Sequence, residues 1–237
     1  MDPLKEKFHQ KSVALKAEIK NILKDHGETI VDKVTVEQLI GGMRSVKSMI
    51  WDTSSLDPEE GIRFRGYNIP QLRELLPRVP NGKEPLPEGL FWLMMTGELP
   101  TVEDVRWLSA EWSRRADVPV HVFEALRALP IDTHPMTQFS IAILAMQKDS
   151  IFAQRYEEGM SKNDYWDVMY EDSMNMIAKL PRIAAFIYRR TFHNDMHISP
   201  DPTMDWGGNF AKMLGFEDRD FLALMRLYLT IHTDHEG

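Results

Sequence analysis

Four ionisable side chains crowd into the last stretch of the sequence, where His232, Asp234, His235 and Glu236 precede Gly237. Neutral imidazoles and carboxylates ligate zinc, so a metal centre is one chemistry this group could perform. The spacing is not that of an HExxH helix, no second cluster of histidines supplies further ligands, and the sequence has no cysteine. A metal therefore ranks below a substrate-binding histidine, and no metal is expected. A histidine at a helix C-terminus feels the negative end of the helix dipole, which favours the imidazolium and suits it to holding a carboxylate. The competing reading is a structural histidine that satisfies backbone carbonyls, and spacing alone leaves both open. Arg44, Lys47, Arg63 and Arg65 present the same choice between solvated charges and anion ligands. His134 precedes Pro135 and reads as a helix-start residue rather than a catalyst. The 6 tryptophans and 15 methionines read as packing, because no glycine-rich phosphate loop or dinucleotide fingerprint accompanies them.

The cluster must be carried by the stretch before it. Asp218 or Asp220 caps a helix whose Phe221, Leu222, Leu224, Met225, Leu227, Tyr228, Leu229 and Ile231 are apolar on nearly every side, which predicts burial all round. A chain that stops directly after such a polar cluster reads as part of a larger protein. Upstream, Phe8, Leu15, Ile19, Ile22 and Leu23 fall at helical spacing between Asp2 and His26, with Gly27 as the stop. Thr35 with Gln38, and Thr101 with Asp104, are capping-box patterns. Val46–Trp51 and Ile62–Phe64 read as two short extended segments around LDPEEG, which predicts one small hairpin near residues 46–64. Everything after Gly66 is helical in pattern and punctuated by proline and glycine. Pro119 opens a helix to Leu129. The helix from Pro135 carries Ser140, Ala142 and Ala145 among large apolar residues, as a core helix does, or one packed on its own copy across a two-fold axis. Pro181 is expected to kink or break a long helix that starts at Ser161 or Asp164. His193–Pro202 is polar and reads as a mobile loop, and a helix to Leu214 stops at Gly215. The fold class is all-α, multi-helix, with one small hairpin.

With 237 residues and 43% hydrophobic content, the chain can build a sizeable core. Its 28 basic and 36 acidic residues give a net charge of −8, with no basic stripe, which argues against nucleic acid as a partner. No apolar run reaches the length of a membrane span, and the N-terminus shows neither a signal core nor an Arg-rich, acid-poor transit pattern. These features point to a bacterial cytoplasm, with a processed mitochondrial matrix protein as the alternative. No internal repeat or composition boundary divides the chain.

Taken together, GGMRSVK, TSSLDPEEGIRFRG, PLPEGLFWLMMTGELPT, WLSAEW, HPMTQFS, KNDYWDVMYEDSM, NFAKMLGF and RLYLTIHTDHEG, in this order and spacing, closely resemble citrate synthases of the mitochondrial (eukaryote-like) type. The resemblance runs from about Gly27 to Gly237. It implies an almost entirely helical homodimer that closes over oxaloacetate and acetyl-CoA and uses no cofactor, acetyl-CoA being a substrate. Residue by residue, it implies that His235 hydrogen-bonds oxaloacetate and that Arg44 contacts the phosphates of CoA. Lys162 stands where the family has a second phosphate-binding arginine, and it keeps the charge without the planar fork. The family's catalytic aspartate and enol-stabilising histidine have no counterpart here. The expectation is that residues 1–237 are most of the large domain, inactive alone, with the small domain absent. The helices near 135–147 and 219–232 resemble those at the family's dimer interface. A 2-methylcitrate synthase and a non-catalytic helical dimerisation module are the alternatives.

Overall fold

The computed structural model describes residues 2–43, 46–47, 50 and 53–234. Helix α1 (Pro3–His26) starts on the Asp2 side chain, which accepts the Lys5 backbone N–H. Helix α2 (Val36–Ile40) opens on the Thr35–Gln38 capping box, with both reciprocal bonds made. A three-stranded antiparallel sheet follows, β1 (Ser54–Asp57), β2 (Gly61–Phe64) and β3 (Tyr67–Asn68), in the order β1-β2-β3. The remaining helices are α3 (Ile69–Leu75), α4 (Pro87–Thr96), α5 (Val102–Arg115), α6 (Val120–Arg127), α7 (Pro135–Ala145), α8 (Ile151–Glu157), α9 (Tyr165–Phe192), α10 (Trp206–Leu214) and α11 (Arg219–Ile231). The all-α class holds, with the sheet as a minor element.

The sheet differs from the expected hairpin in register. The strand that pairs with β2 is Ser54–Asp57, not Val46–Trp51, with Ser54 opposite Phe64 and Asp57 opposite Gly61. Asp57 supplies the reason, because its carboxylate accepts the N–H groups of Glu59 and Glu60 at 2.8 Å and closes the turn at once. Pairing therefore begins at the turn and recruits the polar SSLD. Of the earlier segment, Val46, Lys47 and Ile50 are described and none is in a strand; the rest lies outside the described residues. The short β3 lies within a region read as helical throughout, and Asn68 at its end caps α3 through a capping box with Gln71.

Three buried clusters hold the fold. Leu4, Trp92, Leu108, Trp112, Tyr170 and Met174 join α1, α4, α5 and α9. Val122, Leu126, Ala142, Ile183 and Phe186 join α6, α7 and α9. Phe64, Leu72, Leu76, Leu90 and Leu93 seat the sheet and α3 on α4. The N-terminal end of α1 is fixed by Leu4 and by Tyr170 Oη, which donates to Asp2 at 3.1 Å.

Helix α9 runs unbroken through Pro181. A proline there removes the N–H that would have served the Ile177 carbonyl. That carbonyl instead accepts the Trp206 indole N–H at 3.0 Å, so the first residue of α10 repairs the defect in α9. Helix α7 is not a central core helix. Among its residues only Gln138 and Ala142 are buried, while Met136 and Leu144 are exposed. His134 does start α7, its Nδ1 accepting the Met136 N–H. The loop after α9 is tied down: Arg189 donates to the carbonyls of Met196 and Leu214, His197 stacks on Phe186 with centroids 4.4 Å apart, and Lys212 pairs with Asp201 at 2.9 Å.

Candidate functional site

Helix α11 starts where Asp218 accepts the N–H groups of Asp220 and Phe221, so Asp218 is the cap and Asp220 is not. It packs on α10 and α4 and delivers its C-terminus beside the sheet. The expectation of burial all round fails. Leu224 and Tyr228 are exposed, and the buried positions are Arg226 and Thr230, both polar. The reason lies in what α11 rests on. Arg226 reaches Asp205 with Nη2 at 2.7 Å from Oδ2 and Nε at 3.0 Å from Oδ1, a two-point pairing in which both side chains are nearly covered. Asp205 also caps α10 through the Gly208 N–H.

The two glycines opening α10 answer to this contact. A methyl group on Gly208 would sit 2.7 Å from the Arg226 guanidinium and 2.8 Å from the Asp205 carboxylate, so it would push the two ends of this ion pair aside. Beneath lies Glu88, fully buried at the start of α4. Its Oε1 accepts the Ser109 hydroxyl at 2.8 Å and the Trp206 N–H at 2.9 Å, and its Oε2 has no partner. Burial, with the Asp205 charge adding to it, pushes this carboxyl up to about 7. Sequence reading missed this cluster. The available signal was Arg226, the one charge inside the apolar run FLALMRLYLTI.

At its far end α11 turns side chains back onto its own carbonyls, and those of Tyr228 and Leu229 are among the last four, which lack a helical donor. Thr230 Oγ1 donates to Arg226 O, Thr233 Oγ1 to Leu229 O, and His232 Nδ1 to Tyr228 O at 2.7 Å. His232, exposed and tilted against the Tyr228 ring, thus performs the structural task of satisfying a carbonyl. Asp234 turns back to the sheet and accepts the Thr53 hydroxyl at 3.3 Å. Thr53 O in turn accepts the Arg65 N–H, and the Arg65 side chain donates to Met94 O of α4. The HTD segment is therefore clamped to the start of the sheet and, through it, to α4.

Of the residues expected at the site, His235 and Arg44 lie outside the described residues. Lys162 is exposed in a single 3-10 turn, Lys162–Asp164, against α9, and among the described residues no hydrogen bond or ion pair joins it to the α11 terminus. Arg63 is held by Glu60, and Lys47 lies 3.8 Å from Asp32. Among the described residues no group of His, Asp and Glu gathers as a metal site.

A family model described as "Citrate synthase, C-terminal domain" matches residues 42–237. The chain is 54% identical over 220 residues to a protein named mitochondrial citrate synthase from Xiphias gladius, covering 92% of this chain and 47% of that one. It is 50% identical over 234 residues to the protein of the same name from Saccharomyces cerevisiae, covering 99% of this chain and 49% of that one. The chain thus spans about half the length of the curated relatives it matches. Among solved structures, a citrate synthase from Pyrobaculum aerophilum superposes with a TM-score of 0.70 at 24% identity, over 83% of this chain and 47% of that one. One from Thermoplasma acidophilum, solved as a ternary complex with carboxymethyl coenzyme A and oxaloacetate, gives 0.67 at 19% identity over 86% of this chain and 49% of that one. The matched span holds the sheet, the Glu88–Asp205–Arg226 cluster and the clamped end of α11, and on that match the chain belongs to the citrate synthase family.

Proposed function

We propose that the protein containing this chain condenses acetyl-CoA with oxaloacetate and water, giving citrate and CoA without a cofactor. The observation that carries this reading is the terminus of α11, which the Asp234–Thr53 bond holds against the sheet, so that His235 follows from a fixed base. An imidazole can donate to the carboxylate or ketone of a small keto-diacid. In this reading residues 1–237 are most of the large helical domain, and Arg44 and Lys162 belong to its CoA fringe. The relatives' names favour a mitochondrial matrix over a bacterial cytoplasm.

Oxaloacetate-dependent release of CoA thiol tests the activity, and this chain contributes no thiol of its own. Release that ignores oxaloacetate would refute it. His235→Ala is expected to lower kcat/KM for oxaloacetate about 100-fold, a loss on the order of 3 kcal/mol in transition-state stabilisation. An unchanged value would remove His235 from the site.

Homodimerisation belongs to the same proposal. Met136 and Leu144 of α7 and Leu224 and Tyr228 of α11 expose apolar surface that a second copy would cover. Leu144→Asp combined with Leu224→Asp is expected to convert a sedimenting dimer into a folded monomer, and a dimer persisting in the double variant would place the interface elsewhere.

A further inference from the structure

On the side of α9 facing α6 lies a cavity of about 260 Å³ whose wall carries three arginines, Arg127, Arg182 and Arg189, together with His197 and the aromatic ring of Phe186. None of these residues belongs to the α11 terminus or to the buried carboxylate cluster. Arg182 and Arg189 are seven residues apart and share one face of α9, and Arg127 comes from the end of α6. In a chain of net charge −8 this is a local reversal of sign.

Among the described residues the cations are held in place, and Arg182 alone of the three has a carboxylate partner. Arg189 is fixed by two carbonyls, Met196 O at 2.6 Å and Leu214 O at 3.1 Å, which orient the guanidinium and leave its charge unmatched. Arg127 stacks over the Phe186 ring at 5.2 Å, and Arg182 lies 5.8 Å from the Phe123 ring. The Asp117 carboxylate that pairs with Arg182 belongs to a side chain 98% exposed, so water screens the pair. His197 leans on Asp195, also at the surface. Each guanidinium has more N–H donors than these bonds consume. Planar forks fixed by packing around an open cavity suit bidentate recognition of phosphoryl or carboxylate oxygens. The volume lies below the range usual for drug-sized ligands, which limits the occupant to a compact molecule.

We propose that this cavity binds a compact, multiply charged oxyanion, a diphosphate or a polycarboxylate, between Arg127, Arg182 and Arg189. Cations brought from the end of α6 and from two positions of α9 match an anion with charge at both ends better than a single carboxylate.

Isothermal titration and thermal unfolding, with pyrophosphate and tricarballylate as separate probes and sodium chloride at matched ionic strength as reference, test the proposal. The wild-type protein is expected to show saturable binding of at least one probe beyond the chloride effect, and the probe that binds identifies phosphoryl or carboxylate recognition. Arg127→Gln with Arg182→Gln is expected to weaken that binding about tenfold or more, leaving oxaloacetate-dependent CoA release unchanged. Arg155→Gln, which removes an exposed cation of α8 paired with Glu158, is expected to leave it unchanged. If far-UV circular dichroism shows the glutamine pair unfolded, Arg127→Lys with Arg182→Lys keeps the charge and is expected to weaken binding through loss of the fork. Binding no better than chloride, equal binding by the folded double variant, or equal loss in Arg155→Gln would overturn the proposal.

Discussion

Arg226→Met is expected to cost about 3–5 kcal/mol of folding stability, a large share of what a domain has. The methionine fills much of the space, so the loss is not chiefly a cavity. It comes from Asp205, which would keep its place at the head of α10 with no guanidinium opposite and with Glu88 close by. Two acidic groups sharing a covered site cannot both ionise cheaply. The cost should accordingly shrink as pH falls and Glu88 takes up its proton. Denaturant midpoints for wild type and variant at pH 8 and pH 5 measure this, and a loss below 1 kcal/mol at pH 8 would show that the pairing adds little.

The second expectation concerns Glu88 alone. Its folded pKa of about 7 lies above the ordinary 4.5, so the folded protein binds the proton more tightly than the unfolded chain does. The stability tied to that proton is complete below pH 4.5 and is lost as pH rises from there through about 7, after which the dependence is flat. The span corresponds to an effect on the order of 3 kcal/mol. Oε1 already accepts two bonds, so the proton resides on Oε2, where an amide nitrogen would serve in its place. Glu88→Gln is therefore expected to match the wild type near pH 5 and to exceed it by up to about 3 kcal/mol at pH 8. The difference between the two proteins isolates this group from Glu98, Glu111 and Glu171, whose ion-pair partners hold them below their ordinary values. Parallel stability curves across that range would mean that Glu88 is ionised throughout.

Much of the helical framework was legible because its signals are local. Thr35–Gln38 and Thr101–Asp104 each close a capping box, and Asp218 caps α11, within the reach of one turn. What failed depended on polar side-chain bonds that the hydrophobic pattern does not show. The partner of β2 was set by a side-chain bond inside the turn, which fixes register before hydrophobicity has a say. The interior of α11 was misread because apolar count predicts how much of a helix is buried and not which face. The buried face is chosen by Arg226, whose partner lies 21 residues upstream. Of the site itself, sequence pattern supplied the HTDHEG cluster, while the clamp on it spans 181 residues between Thr53 and Asp234. No spacing rule reaches that far.

The bond from Trp206 to Ile177 has a consequence for the order of assembly. Helix α9 is translated before α10, so the Ile177 carbonyl gains its indole partner only when α10 docks. The helix then crosses Pro181 with one carbonyl lacking its usual backbone donor. Docking of α10 brings the indole that completes α9, the Asp205 that meets Arg226, and the N–H that reaches Glu88. One short helix thereby acts as a latch: it completes the hydrogen bonding of α9 at Pro181 and holds α11 through the Asp205–Arg226 pair.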